Sequence, residues 1–176
     1  MPIAVHSVAE VAPLIDRVRA AAARTVQAMT RLTASEPDVL EVLRQMKFTT
    51  MAWHPLEERA LNLIEQVNQT WTCLVTLRAL PFLFARHPEA GGFELNLGTE
   101  GGTDILSLAP GAVAAETFAA VHPMNNRKLP KDLRKLADAC PHVRARYVFF
   151  AAPGYKHERR HELERIPGIE VWSVDV

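Results

Sequence analysis

With 176 residues, 48% hydrophobic and 23% charged, the chain has material for one compact domain and scarcely enough for two. Twenty basic residues balance twenty acidic ones, which excludes a whole-molecule field drawing it to nucleic acid or to an anionic membrane; any such contact must come from a local patch. Cys73 and Cys140 make no disulfide framework, no basic stretch leads into an apolar core at the N-terminus, and no apolar run is long enough to span a bilayer, so the sequence reads as cytoplasmic with no membrane partner.

The first half predicts helices throughout. Val11, Ile15, Val18 and Ala22 recur at three- to four-residue spacing within 8–32, the mark of one apolar helix face. Ser35-Glu36-Pro37-Asp38 has the hydroxyl, early proline and first-turn acid of a helix start. Leu40, Val42, Leu43 and Met46 give that second helix its apolar side. His54-Pro55 opens a third and longest helix, in which Ala60, Ile64, Val67, Trp71 and Leu74 form the apolar stripe and Glu58, Glu65, Asn68 and Gln69 the polar one. Pro81 ends or kinks it.

The period then changes. Residues 93–97 alternate as a half-buried strand does, 98–102 is a glycine-rich loop, and 103–108 and 112–121 are strands joined by the tight turn Pro110-Gly111. A helix follows over 130–140, then an apolar strand over 144–151, a short charged helix, and a last strand over 169–174. The order is three helices and then β-β-β-α-β-α-β. Short helix–strand links favour parallel pairing at the C-terminal end, so the expected fold is α/β with a mixed central sheet flanked by helices. Residues 1–54 form a helical extension packed on a core of 55–176, and its Ala-rich first helix offers a surface for a homodimer.

Asp104 and Glu116 stand out because they flank the Pro110-Gly111 turn. A hairpin centred on Pro110 sets them opposite each other on neighbouring strands, with Cβ atoms about 5 Å apart. Two carboxylates that close repel unless a proton or cation sits between them, and hard oxygen ligands suit Mg²⁺ or Mn²⁺. Either acid can instead belong to a solvated strand end or a structural network.

On these residues the chain resembles the PD-(D/E)XK phosphodiesterase superfamily, the restriction-endonuclease-like proteins. Their core runs long helix, three-strand meander, helix, strand, and the resemblance covers residues 55–176. Gly102-Thr103-Asp104-Ile105 is similar to the strand with the first acid, and Ala115-Glu116-Thr117-Phe118 to the strand with the second acid and, two residues later, the lysine. Glu65 sits where many members carry a further acid, though a solvated helix face is the simpler account of it. The resemblance implies a metal-dependent nuclease, with Asp104, Glu116, the Thr117 carbonyl and Glu65 as metal ligands. Phe118 departs from the pattern, since it can neither activate water nor balance charge. Two explanations stand open. A lysine from the stripe Lys128, Lys131 and Lys135 reaches the site, with Lys128 nearest in sequence, or the scaffold is catalytically inert and serves binding or assembly.

Two further features compete. His157-Glu158-Arg159-Arg160-His161 matches the zinc pattern HExxH, yet carries arginines between the ligands and has no downstream helix for a third; a charged surface helix is the alternative. Arg127, Lys128, Lys131, Arg134 and Lys135 form a local basic patch fit for nucleic-acid phosphates, or a solvated helix face.

Overall fold

A computed structural model describes residues 2–57, 59–97 and 102–176; Glu58 and residues 98–101 of the glycine-rich loop lie outside the described residues. In chain order the elements are β1 (Ile3–Val5), α1 (Val11–Ser35), α2 (Val39–Phe48), β2 (Ala52–Trp53), β3 (Ala60–Leu61), α3 (Leu63–Arg86), β4 (Phe93–Leu95), β5 (Ile105–Ser107), β6 (Val113–Ala119), α4 (Lys128–Ala139), β7 (Ala145–Ala151), β8 (Glu158–Arg159) and β9 (Ile169–Ser173).

Seven strands make one mixed sheet in the order β1-β4-β5-β6-β7-β9-β8. β1, β4, β5 and β6 pair antiparallel, β6, β7 and β9 pair parallel, and β8 returns antiparallel at the edge. β6 and β7 read as apolar runs because both their faces are covered. Successive side chains point to opposite faces, so Val113, Ala115, Tyr147 and Phe149 join the core under α1 and α3. Ala114, Phe118, Val148 and Phe150 join a second core with Leu129, Leu133 and Leu136 of α4. Glu116 lies between Ala114 and Phe118 on the α4 face.

The sequence expectations need four corrections. β1 was not foreseen; three residues are too short to show a period, and Gly92 permits its approach because a Cβ there would stand 2.8 Å from the Val5 carbonyl oxygen. His54-Pro55 does not open a helix. It turns the β2–β3 hairpin, with His54 Nδ1 accepting the Leu56 and Glu57 N–H groups at 3.3 and 3.0 Å. The helix starts at Leu63, where the Asn62 side chain caps the Glu65 N–H at 2.9 Å. Pro81 does not end α3 either. The helix forgoes the bond to Leu77 and continues to Arg86, since Leu77, Leu80 and Leu83 are fully buried. The charged helix after Gly154 is reduced to a 3₁₀ turn at His161–Leu163, because Glu158 and Arg159 pair with Ser173 and Trp172 as β8.

α2 buries none of its residues, and Val39, Leu40, Leu43 and Phe48 are exposed. Among the described residues no helix is long and apolar enough to cross a membrane.

Candidate functional site

The β5–β6 hairpin pairs Ile105 with Ala115 and Leu106 with Ala114. The next step in that register sets Asp104 opposite Glu116. Positive φ at Gly111 closes the turn, and the Ser107 hydroxyl accepts the Val113 N–H at 2.9 Å. Asp104 stands immediately before β5, and its carboxylate reaches across to β6. Its Oδ2 accepts the Thr117 N–H at 2.7 Å and the Thr117 hydroxyl at 3.1 Å. That hydroxyl also meets the Thr76 hydroxyl of α3 at 2.7 Å. Burial pushes the Asp104 carboxyl above its ordinary range, against the pull of the Thr117 donors and of Lys135.

Glu116 is fully buried. Lys135 Nζ of α4 donates to its Oε2 at 2.8 Å, while Oε1 has no hydrogen-bond partner among the described residues. Burial and the Asp104 charge raise its carboxyl to about 7, outweighing Lys135. Burial draws the Lys135 ammonium down, but Glu116, Asp104 and Asp132 together hold it above its usual value. One turn earlier on α4, Asp132 is 2% exposed, and its Oδ1 accepts from Lys128 Nζ at 2.8 Å while Oδ2 has no partner among the described residues. Its carboxyl is raised by burial and by Asp104, against Lys128. Three carboxylates thus gather under α4, two of them paired with half-exposed lysines, and two of their oxygens are unmatched among the described residues. Every buried polar atom left without a partner costs free energy unless something binds it.

Of the residues singled out in the sequence, Asp104, Glu116, Thr117 and the α4 lysines come together. The lysine bonded to Glu116 is Lys135, whose charge also acts on Asp104. Lys128 sits four residues before Asp132 and takes that carboxylate instead, the ordinary helical pairing. Glu65 is exposed in the first turn of α3. Cys73, the α3 residue whose thiol feels Asp104, lies eight residues on, about 12 Å along the axis. That thiol is pushed up to about 12, by burial first and then by Glu57 and Asp104, so it is no nucleophile. Phe118 stacks on Phe150 with centroids 5.7 Å apart and belongs to the core under α4. Arg127, Lys131 and Arg134 are exposed with Lys128 and Lys135 on the outer side of α4 and its approach. His157 and His161 stand on either side of β8 and not on one helix turn, so the HExxH spacing loses its geometry; His161 is instead 3.5 Å from Glu164.

Asp132 was missed in the sequence. Its spacing from Lys128 and its place beside Leu129, Leu133 and Leu136 were the signal that it faces inward. Among the described residues, no three histidine, cysteine, aspartate or glutamate side chains are grouped closely enough to hold a metal ion. Asp104 and Glu116 with the strand backbone would offer a smaller set of two carboxylates and a carbonyl. Such a set fits Mg²⁺ or Mn²⁺, which keep several waters, and the unmatched Glu116 Oε1 is a donor of the right chemistry. Compared with protein-family models, curated proteins and solved structures, the chain matches none.

Proposed function

We propose that the chain is a metal-dependent phosphodiesterase of the nuclease kind, built on a restriction-endonuclease-like core formed by α3, β4, β5, β6, α4 and β7. One observation carries this reading: a fully buried glutamate in mid-sheet, with one oxygen on a lysine and the other unmatched, opposite an aspartate. Asp104 and Glu116 would hold Mg²⁺ or Mn²⁺. The Thr117 carbonyl is the third donor, because its N–H already points from β6 toward Asp104 and a strand residue's N–H and C=O leave the same edge. A bound ion of this kind stabilises phosphoryl charge and lowers the pKa of water.

Lys135 does the work of the absent motif lysine. It reaches the acid pair from α4 rather than from β6, so Phe118 is free to serve the core. Asp132 keeps Lys128 beside it, where Lys128 still lowers the Asp104 pKa. Arg127, Lys131 and Arg134 supply phosphate contacts along α4.

A second reading is favoured by the same ion pair. If Lys135 is the permanent counter-ion of Glu116, and Thr117 the permanent partner of Asp104, the scaffold is inert and acts in binding or assembly. Labelled single- and double-stranded DNA and RNA oligonucleotides, incubated with Mn²⁺ or with a chelator, separate the two. The nuclease reading expects Mn²⁺-dependent cleavage that falls at least about 100-fold in both Asp104→Asn and Lys135→Ala. Cleavage by neither wild type nor variants, with all folded, establishes the inert scaffold.

A further inference from the structure

β6, β7 and β9 are parallel and end together. Open α/β sheets take ligands in the crevice beyond the carboxyl ends of such strands. A cavity of about 510 Å³ lies there, roofed by Asn68 and Trp71 of α3. This is within the 300–1,000 Å³ or so of small-molecule sites. We propose that this cavity binds a nucleobase.

The walls argue for that chemistry. Alanines at the ends of β6 and β7, where larger side chains would fill the space, leave room for a flat ring. Trp71 is 45% exposed, so its indole is free to stack. Tyr155 is held in place, edge-on to Phe150 at 5.2 Å and beneath the Arg160 guanidinium at 4.9 Å. The Asn68 amide and the Asp175 carboxylate supply donors and an acceptor for a ring edge. No lysine or arginine lines the cavity among the described residues, so it favours a base over a phosphate.

The position fits the proposed phosphodiesterase, and the identity of the substrate rests on that reading. Ala119, at the cavity, is two residues beyond Thr117 on β6, about 7 Å along the strand. One nucleotide spans that gap, with its phosphate at Asp104 and Thr117 and its base against Trp71. A base so held is unstacked from its neighbours, so the substrate class is single-stranded or terminal nucleotides rather than continuous duplex.

The test is calorimetric binding of adenosine, guanosine, cytidine and uridine, with ribose as control, in a chelator so that no metal enters. Binding of at least one nucleoside but not ribose is expected. It should weaken about tenfold in Trp71→Ala, persist in Trp71→Phe, and persist in Asp104→Ala. Trp71 is partly exposed, so both variants should fold, which circular dichroism checks. Nucleoside binding that survives Asp104→Ala upholds the cavity even if the chain cleaves nothing. Failure of all four nucleosides to bind, equal binding of ribose, or indifference to Trp71→Ala overturns it.

Discussion

Two charged clusters sit on this sheet with one strand between them, and they are built differently. At β9, Glu170 accepts both Arg86 nitrogens at 2.8 and 3.0 Å and the Trp172 indole N–H at 2.9 Å. Glu164 takes Arg159 at 2.7 and 3.2 Å and the Val171 N–H at 3.2 Å. These oxygens are matched, the groups are partly solvated, and Arg159 holds the Glu164 carboxyl below its ordinary range. At β6 and α4 the carboxyls are buried and shifted upward, and among the described residues one oxygen each of Glu116 and Asp132 is unmatched. The first cluster is what stitching a sheet edge requires. The second is costlier than folding alone demands, which is the physical reason to look for a cation there.

The largest expected effect comes from placing a lysine at position 118, where the proposed nuclease core would call for one. Phe118→Lys puts an ammonium into the packed core beside Phe150 and Leu133. It should cost about 4 kcal/mol in urea unfolding. A stable, fully folded Phe118→Lys would show that this position is not core.

Next is the counter-ion. Lys135→Met leaves Glu116 without its donor and should cost about 2 kcal/mol, tempered by the partial exposure of Lys135. Arg159→Met at the solvated cluster should cost less than about 1 kcal/mol. Equal losses would erase the contrast between the clusters.

The pH dependences should have opposite signs. Glu116 titrates near 7 when folded and near its ordinary 4.5 when unfolded. Between those values the folded state binds the extra proton, so this group's contribution falls as pH rises from 4.5 to 7, by up to about 3 kcal/mol. Glu116→Gln should flatten that limb in urea unfolding measured across the window. Glu164, with its lowered folded pKa, contributes above the unfolded value and loses that contribution as pH falls through the folded one. Glu164→Gln should flatten only this acid limb, by a few tenths of a kcal/mol.

Much of the sheet was legible because its strands are long or punctuated. The largely apolar, aromatic run of β7, the Pro110-Gly111 turn and the helical spacing of Leu129, Leu133 and Leu136 each named an element. The opposition of Asp104 and Glu116 followed from where that turn is centred. Short pieces were not legible: β1 and β8 are strands only because a neighbour pairs with them. Pro55 looked like a helix start, yet Asn62 was the residue with a capping side chain. The choice between Lys128 and Lys135 turned on which lysine Asp132 captures. That depends on α4's rotation against β6, which periodicity alone leaves open within a turn.

The most direct test of the cation site is calorimetric titration of Mn²⁺ and Mg²⁺ into wild type and Asp104→Ala near neutral pH. A single divalent ion bound by the wild type and lost in the variant is the predicted result. No binding by the wild type, or binding unchanged by Asp104→Ala, would contradict it and leave Glu116 and Lys135 as a buried structural pair.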